Sequence, residues 1–198
     1  MKEYAIIILA AGSSTRLGYP KQLLPYNDTS ILFHLASEAF VAIPDVLVVL
    51  GSNADIIKEE VKNLPVNLLY NKDWEDGMSS SIRCGLSHLL KTKSPDAVII
   101  MVSDQPFVTA SLLNKMIKKY EESKKPIIAC SYKNTLGVPV LFDKDFFGGL
   151  KEIEGQSGAK KIINTNMDLI EAVSFPLGNI DIDTAEDYEA FRKIFLSN

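Results

Sequence analysis

Three clusters of residues in this chain are suited to chemistry on a phosphate. The first reads LAAGSSTRLGYPK over residues 9–21 and follows directly on the apolar run Ile6-Ile7-Ile8. A buried strand that runs into a small-residue turn lets the backbone N–H groups near Ala11–Ser13 approach an anion closely. Arg16 and Lys21 follow Gly12 by four and nine residues, and two such cations neutralise a polyphosphate. The spacing is not the P-loop's G-x-x-x-x-G-K-[ST]. It is not G-x-G-x-x-G either, because only Gly12 and Gly18 are present. Pro20 and Pro25 flank Lys21 and argue against a regular helix there, so the lysine is expected on a shaped loop.

The second cluster is acidic. Asp104, in SDQPFVT, ends an apolar run over residues 97–102, and Pro106 blocks immediate helix propagation. A carboxylate at a strand end suits Mg²⁺, which takes one or two carboxylates together with substrate phosphates and waters. An Asp that merely opens a turn is the rival reading. Its expected companions lie in NIDIDTAED, residues 179–187, where Asp181 and Asp183 alternate with isoleucines and share one face of an extended segment. Either could complete a metal site. In the competing reading Asp183 or Thr184 caps the helix that follows, with Glu186 and Asp187 in its first turn.

The third cluster is NKDWEDGMSSS, residues 71–81. Gly77, beside Asp76, permits close backbone approach to a nucleotide. Ser79 and Ser80 could bond ribose or phosphate oxygens or cap the next helix. Trp74 could stack on a base or simply pack, and Arg83 falls one helical turn beyond the serines.

The elements that must position these clusters alternate in period. Apolar, β-rich runs at residues 4–10, 46–50, 66–70, 97–102, 126–130 and 138–142 are separated by helical-period segments. The helices are expected at 30–41, 54–63, 79–91, 110–122, 144–151, 159–163 and 185–196. Strands that are apolar throughout predict a mainly parallel sheet covered on both faces, a three-layer α/β/α sandwich. Ligands of such sheets bind outside the carboxyl ends of the strands, so all three clusters are expected on one rim.

The 198 residues, 46% hydrophobic and 23% charged, suit one domain over residues 1–198. A net charge of −4 argues against nucleic acid as partner. No apolar run reaches the roughly 20 residues of a membrane span, and the amino terminus lacks the form of a signal peptide. Cys84 and Cys130 stand far apart and read as buried thiols in a cytoplasmic, reducing setting. With His34 and His88 they make no zinc spacing, and nothing suggests a Ser-His-Asp or Cys-His arrangement.

The run LAAGSSTRLGYPKQLL resembles the signature of the molybdopterin nucleotidyltransferases, a family within the larger group of nucleotide-diphospho-sugar transferase folds. The D-Q-P segment at Asp104, the N-x-x-W-x-x-G-M-x-S-S pattern at residues 71–81 and the D-I-D-T-x-E-D segment at Asp181 add to the likeness. The resemblance implies a Rossmann-like fold and Mg²⁺-dependent transfer of a nucleotide to a phosphorylated acceptor. Leu9–Ser13, Lys21, Asp76, Gly77, Ser79 and Ser80 would then surround the nucleotide. Arg16, Lys21 and Asp104 would be catalytic, and Asp104, Asp181 and Asp183 would serve the metal. Ala11 stands where the family's cytidylyl members have Ala and its guanylyl members Gly, so CTP is the implied donor. Molybdopterin is the implied acceptor, with a molybdoenzyme as a downstream partner. Leu136, Gln156 and Lys160 replace the family's usual Arg, Asp and Arg in the half that would hold the acceptor. Two rivals follow: transfer to a sugar phosphate or similar small acceptor, and a molybdopterin- or nucleotide-binding chaperone without transfer.

Overall fold

The computed structural model describes residues 2–156 and 158–196. Its centre is a seven-stranded sheet made from β1 (Tyr4–Ala10), β4 (Val46–Leu50), β5 (Asn67–Tyr70), β6 (Ala97–Val102), β7 (Ile127–Tyr132), β8 (Thr135–Asp143) and β9 (Ile170–Ser174). The spatial order is β5-β4-β1-β6-β8-β7-β9. A separate two-stranded hairpin pairs β2 (Pro25–Tyr26) with β3 (Thr29–Ser30).

The first four sheet strands are parallel, and β1 lies between β4 and β6 with Ile7 opposite Leu47 and Ile100. Every residue of β4 and β6 is buried, as expected for strands covered on both faces. Alternate side chains of β1 enter different cores. Ile6, Ile8 and Ala10 face one cluster with α1 (Ile31–Ala42), α4 (Ala110–Ser123) and Phe191 of α7 (Ala185–Leu196). Ala5, Ile7 and Leu9 face the other, with α3 (Met78–Thr92), α5 (Phe147–Glu152) and α6 (Lys160–Thr165). The short α2 (Ala54–Val61) joins the first layer through Ile57 and Val61. The expected three-layer sandwich is therefore present. No helix among the described residues is long and apolar enough to cross a membrane.

The far half departs from a purely parallel sheet. Strand β8 runs antiparallel to both β6 and β7, whereas β9 is parallel to β7. The β7–β8 register shifts between Ala129 and Cys130, opposite the segment that contains Pro139. A bulge accommodates a residue that has no N–H to give to the ladder. Strand β9 and the 25–30 hairpin were outside the expected set. Residues 144–151, expected as one helix, start with a 3₁₀ turn at Lys144–Phe146 before α5.

Candidate active site

Three parallel strands deliver their loops to one rim. The Ala11 carbonyl accepts from Ser52 N–H (3.0 Å), and Ser103 N–H reaches back to the Leu9 carbonyl (3.1 Å). The 71–77 loop follows β5, whose end is tied by Asn71 N–H to the Leu50 carbonyl (2.8 Å). Between them opens a cleft of about 310 Å³, with Leu9, Ala11, Gly12, Ser13, Lys21 and Asp104 in its wall. Gly77, which forms part of the same wall, enters α3 at φ +96°.

The phosphate loop is fastened from below. Gln22 is fully buried, and its side-chain amide donates to the carbonyls of Ala10 (3.1 Å) and Gly12 (3.3 Å). Ser14 accepts from the Lys21 backbone N–H (3.1 Å). Lys21 opens a single 3₁₀ turn, Lys21–Leu23, which satisfies the restriction set by Pro20. Gly51 closes the side of the loop. A Cβ there would lie 2.6 Å from the Trp74 Cβ and 2.7 Å from the Ala11 carbonyl oxygen, so glycine lets the tryptophan close on the loop.

The charged residues meet across the cleft mouth. Lys21 Nζ donates to Asp104 Oδ2 (2.7 Å) and to Asp183 Oδ1 (2.9 Å), and Arg16 donates to the other oxygen of Asp183 (2.6 Å). Only 13% of the lysine side chain is accessible, against 69% for Arg16. The two carboxylate segments are also joined through the backbone, from Ile182 N–H to the Asp104 carbonyl (3.1 Å). Burial works against the charge on Lys21, but Asp104 and then Asp183 outweigh it and hold the ammonium above its ordinary range. Burial likewise opposes ionisation of Asp183, and Lys21 and Arg16 overcome it and keep that carboxyl below its ordinary range.

Asp181 has the opposite balance. Burial, followed by the negative charges of Asp104 and Asp183, pushes its carboxyl up to about 6. Three carboxylates thus lie near two cations, and at Asp181 the opposing pull of Lys21 and the Gln105 side chain is too weak to offset burial and the like charges. This excess of hard oxygen charge fits a divalent cation. No group of three or more His, Cys, Asp or Glu side chains among the described residues could hold a metal by itself. Any cation here would share its coordination with substrate oxygens and waters.

The structure decides between capping and charge at residues 183–187. Thr184 accepts from Asp187 N–H (3.2 Å), and Asp187 accepts from the N–H groups of Asp183 (3.2 Å) and Thr184 (2.9 Å). Thr184 and Asp187 form the cap, which leaves the Asp183 carboxylate to Lys21 and Arg16.

Four of the expected nucleotide contacts do not line the cleft. Ala10 is fully buried, and its carbonyl is taken by Gln22. The Ser80 hydroxyl lies 2.6 Å from the Asp73 carbonyl and receives Asn71 Nδ2 (2.9 Å), so it fastens the loop. Ser79 is fully buried with its hydroxyl unpartnered, and Asp76 is exposed outside the wall. The reason is helix phase: α3 starts at Met78, which turns Ser79 and Ser80 inward and presents Ser81 to the cleft. Glu75 and Ser103, from segments expected on the rim, line it together with Met78 and Ser81 of the 71–81 motif, and Gln156, expected in the acceptor half, joins them. Trp74, which could have been packing alone, also lines it. Arg83 donates to the Ile153 carbonyl and braces the segment leading to Gln156.

A small-residue loop at the carboxyl edge of a mainly parallel sheet, faced by paired cations and carboxylates, defines an α/β protein built to handle a nucleotide. A family model, the MobA-like NTP transferase domain, matches residues 6–171, and this chain belongs to that family of nucleotidyltransferases. It is 26% identical over 191 residues to the nicotine blue oxidoreductase of Paenarthrobacter nicotinovorans, covering 91% of this chain and 92% of that protein. It is 26% identical over 200 residues to the purine catabolism protein PucB of Bacillus subtilis, covering 94% and 95%. The homolog of Rv0371c from Mycobacterium sp. strain JC1 superposes with a TM-score of 0.82 at 30% identity, over 98% of this chain and 97% of that one. The manganese complex of Rv0371c from Mycobacterium tuberculosis gives 0.80 at 26% identity, over the full length of both chains. A nucleotidyltransferase from Methanothermobacter, 18% identical, has the same fold at a TM-score of 0.82 over 100% of this chain and 99% of that chain.

Proposed function

We propose that the whole chain acts as one catalytic unit that transfers CMP from CTP to the phosphate of molybdopterin. The observation that carries this reading is the Lys21 ammonium held between Asp104 and Asp183 beside the loop at Ala11–Ser13. An acceptor phosphate oxygen attacks the α-phosphorus, the bond to the bridging oxygen breaks, and pyrophosphate leaves with the electron pair. Side chains do little covalent work in such a reaction, so position and charge dominate.

In this reading the N–H groups of Ala11, Gly12 and Ser13 cradle the β- and γ-phosphates. Lys21 and Arg16 stabilise charge on the α-phosphate and the departing pyrophosphate. Asp104 with Asp183 or Asp181 would hold Mg²⁺, which supplies Lewis-acid neutralisation of the phosphates. Manganese in the Rv0371c complex supports a divalent cation here. CTP rests on Ala11, and molybdopterin on the family resemblance. Both thiols are free, which suits a cytoplasmic enzyme.

A second reading keeps the chemistry and changes the acceptor to a sugar phosphate or other small phosphorylated compound. Gln156 favours it, since an amide lines the cleft where the family pattern has a carboxylate. The test is pyrophosphate release from CTP, GTP and ATP with Mg²⁺ and anaerobically prepared molybdenum cofactor, alongside Asp104→Asn. Release restricted to CTP, dependent on the cofactor and reduced at least about 100-fold in the variant, supports the proposal. Release only with a sugar phosphate selects the second reading. Cofactor binding without release under any condition supports a loading chaperone instead.

A further inference from the structure

We propose that Lys21 and a divalent cation compete for the Asp104–Asp183 carboxylate pair, so that cation binding displaces the ammonium at a cost that a bound triphosphate removes. The inference rests on the reading of this cleft as a nucleotide and metal site. It goes beyond that reading by making Lys21 the element that couples the two ligands.

The geometry points to a swinging side chain. The Lys21 backbone is fixed through Ser14 and the 3₁₀ turn, and Nζ is joined to it through four methylenes whose torsions set where the ammonium points. Its Nζ takes one oxygen from each carboxylate at 2.7 and 2.9 Å, and the same side chain lines the cleft where a triphosphate would lie. A hard cation would draw on the same two carboxylates. Ammonium and metal are like charges, and each weakens the other's hold on them. Removing the ammonium to a poorly paired position would leave a largely buried charge uncompensated, which is costly. A triphosphate gives it a new set of oxygens and removes that cost. By linkage, nucleotide then strengthens cation binding and the cation strengthens nucleotide binding.

Arg16 provides the control for simple net charge. It also pairs with Asp183, but from the exposed side and through one oxygen, and it makes no contact with Asp104. A field effect alone would let either substitution increase cation affinity equally.

The experiment measures Mn²⁺ binding by the free-ion EPR signal, on the full chain without nucleotide. The proteins are wild type, Lys21→Met, Arg16→Met and Asp104→Asn. Lys21→Met is expected to bind Mn²⁺ at least about tenfold more tightly than wild type, and Arg16→Met to stay within about threefold. Equal gains in both variants, or no gain in Lys21→Met, overturn the proposal. If Lys21→Met shows no gain while Asp104→Asn abolishes Mn²⁺ binding, the metal site stands and only the competition fails. If no protein binds Mn²⁺ and Asp104→Asn matches wild type, the reading of the carboxylates as a metal site fails with it. A measurement on the wild type guards against a variant that does not fold. Saturating Mg²⁺ without nucleotide should increase amine labelling at Lys21, read by peptide mass spectrometry, and unchanged labelling overturns the competition.

Discussion

Gly77 and Gln156 touch so closely that a Cβ on the glycine would fall 2.7 Å from the glutamine carboxamide. The contact brings the entrance of α3 against Gln156 across one wall of the cleft. Gly77 has φ +96° and ψ −175°, a conformation almost restricted to glycine. Gly77→Ala is expected to lower unfolding free energy by about 1–3 kcal/mol in denaturant titration. The methyl group also displaces the end of Gln156 into the cleft, so KM for the nucleotide should rise about fivefold or more.

Gln22 offers a separate test of the loop. Its amide is the buried partner of the Ala10 and Gly12 carbonyls. Gln22→Leu leaves both carbonyls without that donor and should cost about 1–3 kcal/mol. Because the loop itself loosens, KM for the nucleotide should rise more than kcat falls. A variant with normal KM and normal stability would remove Gln22 from the positioning of the loop.

Asp181 predicts a pH-dependent stability in chelator-treated protein. Its carboxyl titrates at about 6 in the folded chain, above the ordinary value of 3.8, so ionisation destabilises the fold. That cost is absent below the ordinary value, grows as pH rises between the two, and is complete above about 6. Asp181→Asn should therefore stabilise the protein by about 1 kcal/mol near pH 8, after allowance for solvent screening, and change little near pH 4. Equal effects at both pH values would contradict the electrostatic origin.

The thiols differ in access. Cys130 is fully buried in the β7 core, and burial pushes its thiol up to about 12. It should resist alkylation in the folded protein and react fully in denaturant. Cys84 is half-buried on α3, where burial also raises its thiol, so it should label slowly but ahead of Cys130. Mass mapping of the alkylated peptides checks the order.

Burial on both faces explains what was legible beforehand. Strands β1, β4 and β6 have the expected bounds because their unbroken apolar runs fill two cores. Strand β9 lies at the sheet edge, and only Val173 among its residues is buried, so its apolar signal is weak. The 25–30 hairpin has only two residues per strand and turns at Asn27 with φ +50°. At the site, the loop, Lys21 and the acidic residues were readable as types and spacings. Which of the three serines at the start of α3 reaches the cleft was not, and it is Ser81. The assignment of Thr184 to the cap rests on Asp187 three residues on, whereas that of Asp183 to Lys21 depends on a partner 162 residues away, beyond any local pattern.

The bond between Arg16 and Asp183 spans 167 positions of the chain. The strands that build the phosphate loop, β1, β4, β5 and β6, all precede residue 103, whereas Asp181 and Asp183 follow the entire far half of the sheet. The loop and its first counter-charge, Asp104, leave the ribosome together, whereas Asp183, which pairs with both Arg16 and Lys21, follows only after the far half of the sheet. A chain truncated before Asp183 therefore keeps the loop but lacks the carboxylate that joins its two cations.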